Sequence, residues 1–165
     1  MNELTRIGPD DWALSLLPRP ARPEEADALS ALALRSKAHW GYDAEFLEAC
    51  RSELTFGADF IDSGEVRLVE NGGGPIGFYS LVPWNSDVEL GHLFVDPDYV
   101  RQGIGRLLWE DAVRRAVVLG YDRLIIESDP NAEDFYLKLG AERIGEVPSR
   151  ARAGRFLPLM FFPLR

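Results

Sequence analysis

Between Val95 and Leu107 the chain reads Val95-Asp96-Pro97-Asp98-Tyr99-Val100-Arg101-Gln102-Gly103-Ile104-Gly105-Arg106-Leu107. An apolar run ends, a loop with two glycines follows and a segment of helical apolar period begins, the order of a strand, a turn and a helix. The first N–H groups of a helix lack partners within it and carry the positive end of its macrodipole. Glycine lacks the Cβ that would keep a phosphate off the backbone. The stretch from Arg101 through Gln102, Gly103, Ile104 and Gly105 to Arg106 can therefore cradle an anion; the plain alternative is a tight strand-to-helix turn. It is not a Walker loop, because no Gly-Lys-Ser/Thr follows, and it holds only Gly-x-Gly of a dinucleotide fingerprint. Glu89 and His92, on the strand that feeds the loop, can accept protons. Strict alternation sets Glu89, Gly91, Leu93 and Val95 on one face and His92 on the other, which ranks Glu89 first and His92 second as a base. Trp40 and Tyr42 flank Gly41 and suit a wall that stacks on a cation or an apolar group, or else a helix–helix corner. Arg150, Arg152 and Arg155 can clamp a carboxylate, or else lie in a solvated loop.

These residues need elements to hold them. A length of 165 residues suits one domain with a core that needs no metal or disulfide. The single cysteine, Cys50, excludes an internal disulfide and a multi-cysteine metal site, and we expect no metal. A net charge of −9 argues against a nucleic-acid surface and suits a cationic substrate. Met1-Asn2-Glu3-Leu4-Thr5 has no signal character, and no apolar run approaches the ~20 residues that span a bilayer, so a cytoplasmic protein without a membrane partner is expected. We expect an extension over 1–13 and one domain over 14–165. A strand is predicted at 14–17. A helix opened by Pro23-Glu24-Glu25 ends at Gly41, and Asp43 caps the next through Phe46, Leu47, Cys50 and Leu54. Strands at 66–70 and 75–82 flank Asn71-Gly72-Gly73-Gly74, and a third follows at 88–95. A helix at 105–119, a strand at 124–127, a helix at 132–139 ended by Gly140, and strands at 141–147 and 156–162 complete the order β-α-α-β-β-β-α-β-α-β-β. This is an α/β domain with a mixed central sheet flanked by helices.

Two of these stretches resemble the GNAT (Gcn5-related N-acetyltransferase) superfamily. Its signature Arg/Gln-x-x-Gly-x-Gly/Ala falls on Val100 to Gly105, with Val100 in place of the Arg or Gln. Asn131-Ala132-Glu133-Asp134-Phe135-Tyr136-Leu137-Lys138-Leu139-Gly140-Ala141 is similar to the family's Asn-x-x-Ala-x-x-Phe-Tyr-x-Lys-x-Gly-Phe/Ala, closely in its second half. In the first half alanine follows the asparagine directly. Arg35 to Tyr42 and Gly154 to Pro158 resemble an uncharacterised bacterial subgroup, which supplies no substrate.

The resemblance implies acetyl-CoA as cosubstrate, its pyrophosphate on the loop amides and its pantetheine arm beside Phe94 and Val95, where two strands splay apart. It further implies a hydrogen bond from Asn131 to that arm, Tyr136 as donor to the departing thiolate, and Glu89 at the spacing of a general base. The expected reaction is direct attack of a small molecule's primary amine on the thioester. Trp40, Tyr42 and Arg155 would hold an acceptor that also carries a carboxylate, although these arginines could instead meet the 3′-phosphate of CoA. Two alternatives stay open: an N-acetyltransferase acting on proteins or peptides, which an open groove would favour, and a CoA-binding module without turnover. A homodimer is compatible with the family.

Overall fold

The computed structural model describes residues 16–165. The expected extension and the first two positions of the strand expected at 14–17 lie outside them. Leu16 and Leu17 form no strand; the first, β1 (Arg19–Pro20), lies just beyond. Its prolines explain its brevity, since proline gives no N–H to a ladder. Arg19 fastens this short edge by ion pairs to Glu25 at 2.8 Å and Glu70 at 3.0 Å.

Three helices come next: α1 (Ala26–Ala38), α2 (Ala44–Arg51) and α3 (Ala58–Asp62). The Asp43 side chain caps α2 by accepting the Phe46 N–H at 2.7 Å, as its position predicts. The sequence reading missed α3, whose five residues are too few to show a helical period. Strands β2 (Glu65–Glu70), β3 (Pro75–Trp84) and β4 (Asp87–Val95) follow, then α4 (Ile104–Val118), β5 (Arg123–Glu127), α5 (Glu133–Lys138), β6 (Glu142–Pro148) and β7 (Phe156–Pro163). These agree with the expected elements to within a few residues.

The seven strands form one sheet in the order β1-β2-β3-β4-β5-β7-β6, antiparallel except for β4 and β5. Alternation along β2 sends Val66 and Leu68 to one face, where Leu29 and Leu32 of α1 and Phe46 of α2 cover them. The opposite face, with Val88, Leu90 and Leu124, is packed under Leu108 and Trp109 of α4. No helix among the described residues is long and apolar enough to cross a membrane.

Two irregularities shape the middle of the sheet. The parallel ladder of β4 and β5 stops at Glu89↔Ile125, after which β4 runs on to Val95 with β3 as its partner, so the two strands part. A bulge in β4 skips Gly91, because Leu90 pairs with Leu81 while His92 pairs with Ser80. This corrects the alternation expected from the sequence. Leu93 and Val95 turn to the α4 side, whereas His92 and Phe94 turn to the α1 side, the same face as Glu89. A Cβ on Gly91 would stand 2.9 Å from Ser80 Oγ and 3.1 Å from Val82 Cγ2, which is why glycine occupies the bulge.

Candidate active site

The loop after β4 tightens through Asp96, whose side chain accepts the Asp98 N–H at 3.0 Å. Arg101 then takes a left-handed backbone with φ of 60°, and Gly103 repeats it with φ of 86°. That conformation suits glycine and is uncommon for arginine. Gly103 is the N-cap of α4, with no side-chain cap and no acid in the first turn. The amide end of this helix is therefore left to an external anion, unlike that of α2.

The expected loop residues divide. Arg101 is exposed, while Arg106 is paired with Glu110 at 3.0 Å on the helix surface. Gln102 gives its amide to the Asp98 carbonyl at 3.3 Å. The Ile104 side chain is in the core, so only its backbone can serve a ligand. The second glycine has a different reason from the first: a Cβ on Gly105 would meet the Phe135 ring at 3.3 Å, so its absence lets α5 approach α4.

On the α1 side, Glu89 is half-buried and has no hydrogen bond or ion pair among the described residues. Burial raises its carboxyl above the usual range, and the like charge of Glu127 adds to this, with Arg150 acting in the opposite sense. Glu127 is likewise half-buried and unpaired, and it lies two residues beyond Ile125, the ladder partner of Glu89. His92 bonds Ser80 Oγ through Nδ1 at 2.8 Å, among the rings of Phe56, Phe60, Phe78 and Phe94. Desolvation lowers its pKa to about 4, so it is neutral at ordinary pH.

Tyr136 is buried beside Trp109 and Phe135, and its hydroxyl has no partner among the described residues. Desolvation, and then the negative charge of Asp129, raise its pKa, so the phenol holds its proton.

Asp129, just past the end of β5, is the centre of the strongest polar cluster on this side. Lys37 Nζ lies 2.5 Å away, and the Tyr42 hydroxyl is 2.9 Å from both carboxylate oxygens. Burial alone would raise this carboxyl; Lys37, the Asn131 N–H and Tyr42 together hold it below the usual range. Arg155 donates to Tyr42 Oη at 2.8 Å and stands 3.7 Å from Asp129. Tyr42 and Arg155, expected on facing walls, thus meet each other, and Arg155 already faces a carboxylate of its own chain. Trp40 does not join them; it is 48% exposed. Arg152 pairs with Asp43 at 3.1 Å. Asn131 lies just before α5 and does not cap it. The Asp129 side chain instead accepts the Asn131 N–H at 2.9 Å, capping the short turn Pro130–Ala132. Lys37, Glu127 and Asp129 were missed from sequence. An Asp before a Pro reads as a turn former, and nothing in the helical period of α1 singles out Lys37.

On the sheet face that carries Glu89, a groove of about 300 Å³ is lined by Trp84, Asp87, Arg123, Ile125, Ile144 and Leu159, of which Ile125 is the ladder partner of Glu89. Trp84 is 49% and Ile144 52% exposed, so the groove opens to solvent.

An acetyltransferase (GNAT) domain family model matches residues 34–158. A peptidyl-lysine N-acetyltransferase, YjaB, from Salmonella typhimurium is 34% identical over 132 residues, covering 77% of this chain and 83% of that protein. Among solved structures, a GCN5-related N-acetyltransferase from Rhodopseudomonas palustris superposes with a TM-score of 0.76 at 23% identity, covering 90% of this chain and 95% of that one. The PaiA N-acetyltransferase from Thermoplasma acidophilum, solved with coenzyme A, gives 0.74 at 18% identity over 90% of this chain and 98% of the other. With a family model spanning most of its length and a relative above 30% identity, this chain belongs to the GNAT family of acetyltransferases.

Proposed function

We propose that the chain transfers the acetyl group of acetyl-CoA to the ε-amine of a lysine displayed by a protein or peptide. The observation that carries this reading is the open groove on the same sheet face as Glu89 and Glu127, two carboxylates without a partner among the described residues; its wall residue Ile125 is the ladder partner of Glu89. An ammonium on a flexible side chain can reach such a surface while its backbone stays outside. The named activity of the Salmonella typhimurium relative agrees with it. The small acceptor expected from the sequence, an amine with its own carboxylate, loses its main support, because Arg155 faces Asp129.

The residues fit acetyl-CoA. The uncapped N-terminus of α4, left-handed Gly103 and exposed Arg101 suit its phosphates. The stretch of β4 that ends in Phe94 and Val95, parted from β5, leaves backbone groups for its amide arm. Acetyl-CoA supplies an activated acyl group whose departure leaves a thiolate. Glu89 takes the proton that keeps the ammonium from attacking, a role favoured by its raised pKa. Tyr136 holds a proton for the thiolate, with a hydroxyl that no described residue engages.

The test compares CoA release with lysine-containing peptides, the same peptides with lysine replaced by arginine, and free small amines, at saturating acetyl-CoA. Mass spectrometry then locates the added acetyl group. The lysine peptides should exceed free lysine in kcat/KM by about tenfold or more, ~1.4 kcal/mol of transition-state binding. Free amines that react as fast as the peptides would transfer the assignment to small acceptors.

A further inference from the structure

The hydrogen bonds around Asp129 determine the orientation of a neighbouring amide. The Asn131 Nδ2 lies 3.0 Å from Asp129 Oδ1 and 2.9 Å from Tyr42 Oη. An ionised carboxylate only accepts, so the Asn131 atom beside it is nitrogen and not oxygen. Tyr42 closes the set: its hydroxyl donates to Asp129 and accepts from Asn131 and from Arg155. One donor and two acceptor sites are then all used. Lys37 and Arg155 balance the buried charge. What remains of Asn131 is its amide oxygen, which bonds to no described residue, in the turn that follows the strand parting from β4.

We propose that Asp129 is a positioning residue that orients the Asn131 amide with its oxygen free to accept an N–H from the amide arm of an acyl-CoA. Through Lys37 and Tyr42 the same carboxylate ties the end of α1 and the loop after it to this turn. The proposal rests on the assignment of acetyl-CoA as cosubstrate. Asp129 itself touches no ligand; it acts through Asn131. Its own partners come from α1, the 39–43 loop and the residue just before β7, so the amide is held by three separate segments of chain.

The test is a pair of calorimetric titrations, one with CoA and one with adenosine 3′,5′-bisphosphate, which carries the nucleotide and none of the amide arm. Asp129→Asn should weaken CoA about tenfold, the worth of one well-made hydrogen bond, and leave the nucleotide within about twofold. Tyr42→Phe, which keeps the ring on Phe46 at 4.4 Å and removes the hydroxyl, should show the same selectivity. Asn131→Ala should match Asp129→Asn, and the double variant should lose no more than either alone, since both act through one contact. Equal losses for both ligands, additive losses in the double variant, or full CoA affinity in folded Asp129→Asn and Tyr42→Phe would each overturn the proposal. A wild-type protein that binds neither ligand would remove the acetyl-CoA assignment, and the proposal with it.

Discussion

Glu89 and Asp129 are both carboxylates near the parting of β4 and β5, yet their surroundings push them in opposite directions. Glu89 is half-buried, with no partner among the described residues and a like charge nearby, so it holds a proton more readily than a free glutamate. Asp129 has a lysine, a tyrosine and an amide around it, so it stays ionised despite burial. Separation of this kind is what lets one site contain both a proton acceptor and a fixed charge. It sets a pH profile. With Glu89 as the base proposed above, activity needs it deprotonated, so kcat/KM should fall as pH drops through its raised pKa, at a higher pH than a free glutamate would give. Glu127→Gln removes the like charge and should shift that limb to lower pH; Glu89→Gln should abolish the limb and lower the plateau about 10²-fold. His92, neutral above about 4, adds no limb in this range, and Tyr136, with its raised pKa, adds none until strongly alkaline pH. A limb that stays put in Glu127→Gln would separate the two carboxylates functionally. Of these residues, the sequence singled out Glu89, Tyr136 and Asn131 by position, but the environment of each was not readable. Burial and neighbours depend on contacts between segments distant in the chain, such as Lys37 with Asp129.

At the scale of elements, periodicity and turn residues located nearly every helix and strand, because caps such as Asp43 and breaks such as Gly41 and Gly140 act locally. The bulge at Gly91 escaped, and it reversed the facing of every later side chain in β4. A lone glycine inside a strand is a known mark of a bulge. Period-2 counting ignored it, and His92 was put on the wrong side as a result. Gly91→Val should therefore cost about 1–3 kcal/mol of stability, as overpacking does. Ser80 Oγ and Val82 Cγ2 would have to move, and with them the hydrogen bond that holds His92. Thermal unfolding checks this against Gly145→Ala, whose Cβ would meet nothing within 4 Å. Equal melting temperatures for the two variants would mean that the bulge tolerates a side chain.

For the molecule as a whole, the charge of −9 bears on encounter more than on chemistry. A peptide of net positive charge would be drawn toward the protein, and salt screens that attraction over roughly 10 Å at 0.1 M. At saturating acetyl-CoA, kcat/KM for a cationic peptide should fall about threefold between roughly 0.05 and 0.5 M salt, with kcat nearly constant. A peptide of net negative charge should show the opposite trend; identical salt responses would mean that the overall field plays no part in capture.

The parting of β4 from β5 also bears on where this sheet leaves strand edges open. Open strand edges template unwanted association, and proteins shield them with prolines, charges or irregular register. The outer edges of this sheet are shielded in that way: β1 is two residues long and contains Pro20, and β6 carries Glu142, Arg143 and Glu146 around a register shift. The stretch of β4 from Leu90 to Val95, which has no β5 partner, lies instead in the middle of the sheet, with β3 on one side and the parted β5 on the other. A whole strand from another chain would need a gap wide enough for its side chains on both faces, with α1 on one face and α4 on the other. A slender chain of amides without side chains needs no such width. The fold thus keeps one unpaired edge inside the sheet, where the gap suits the slender amide arm proposed above better than a whole strand.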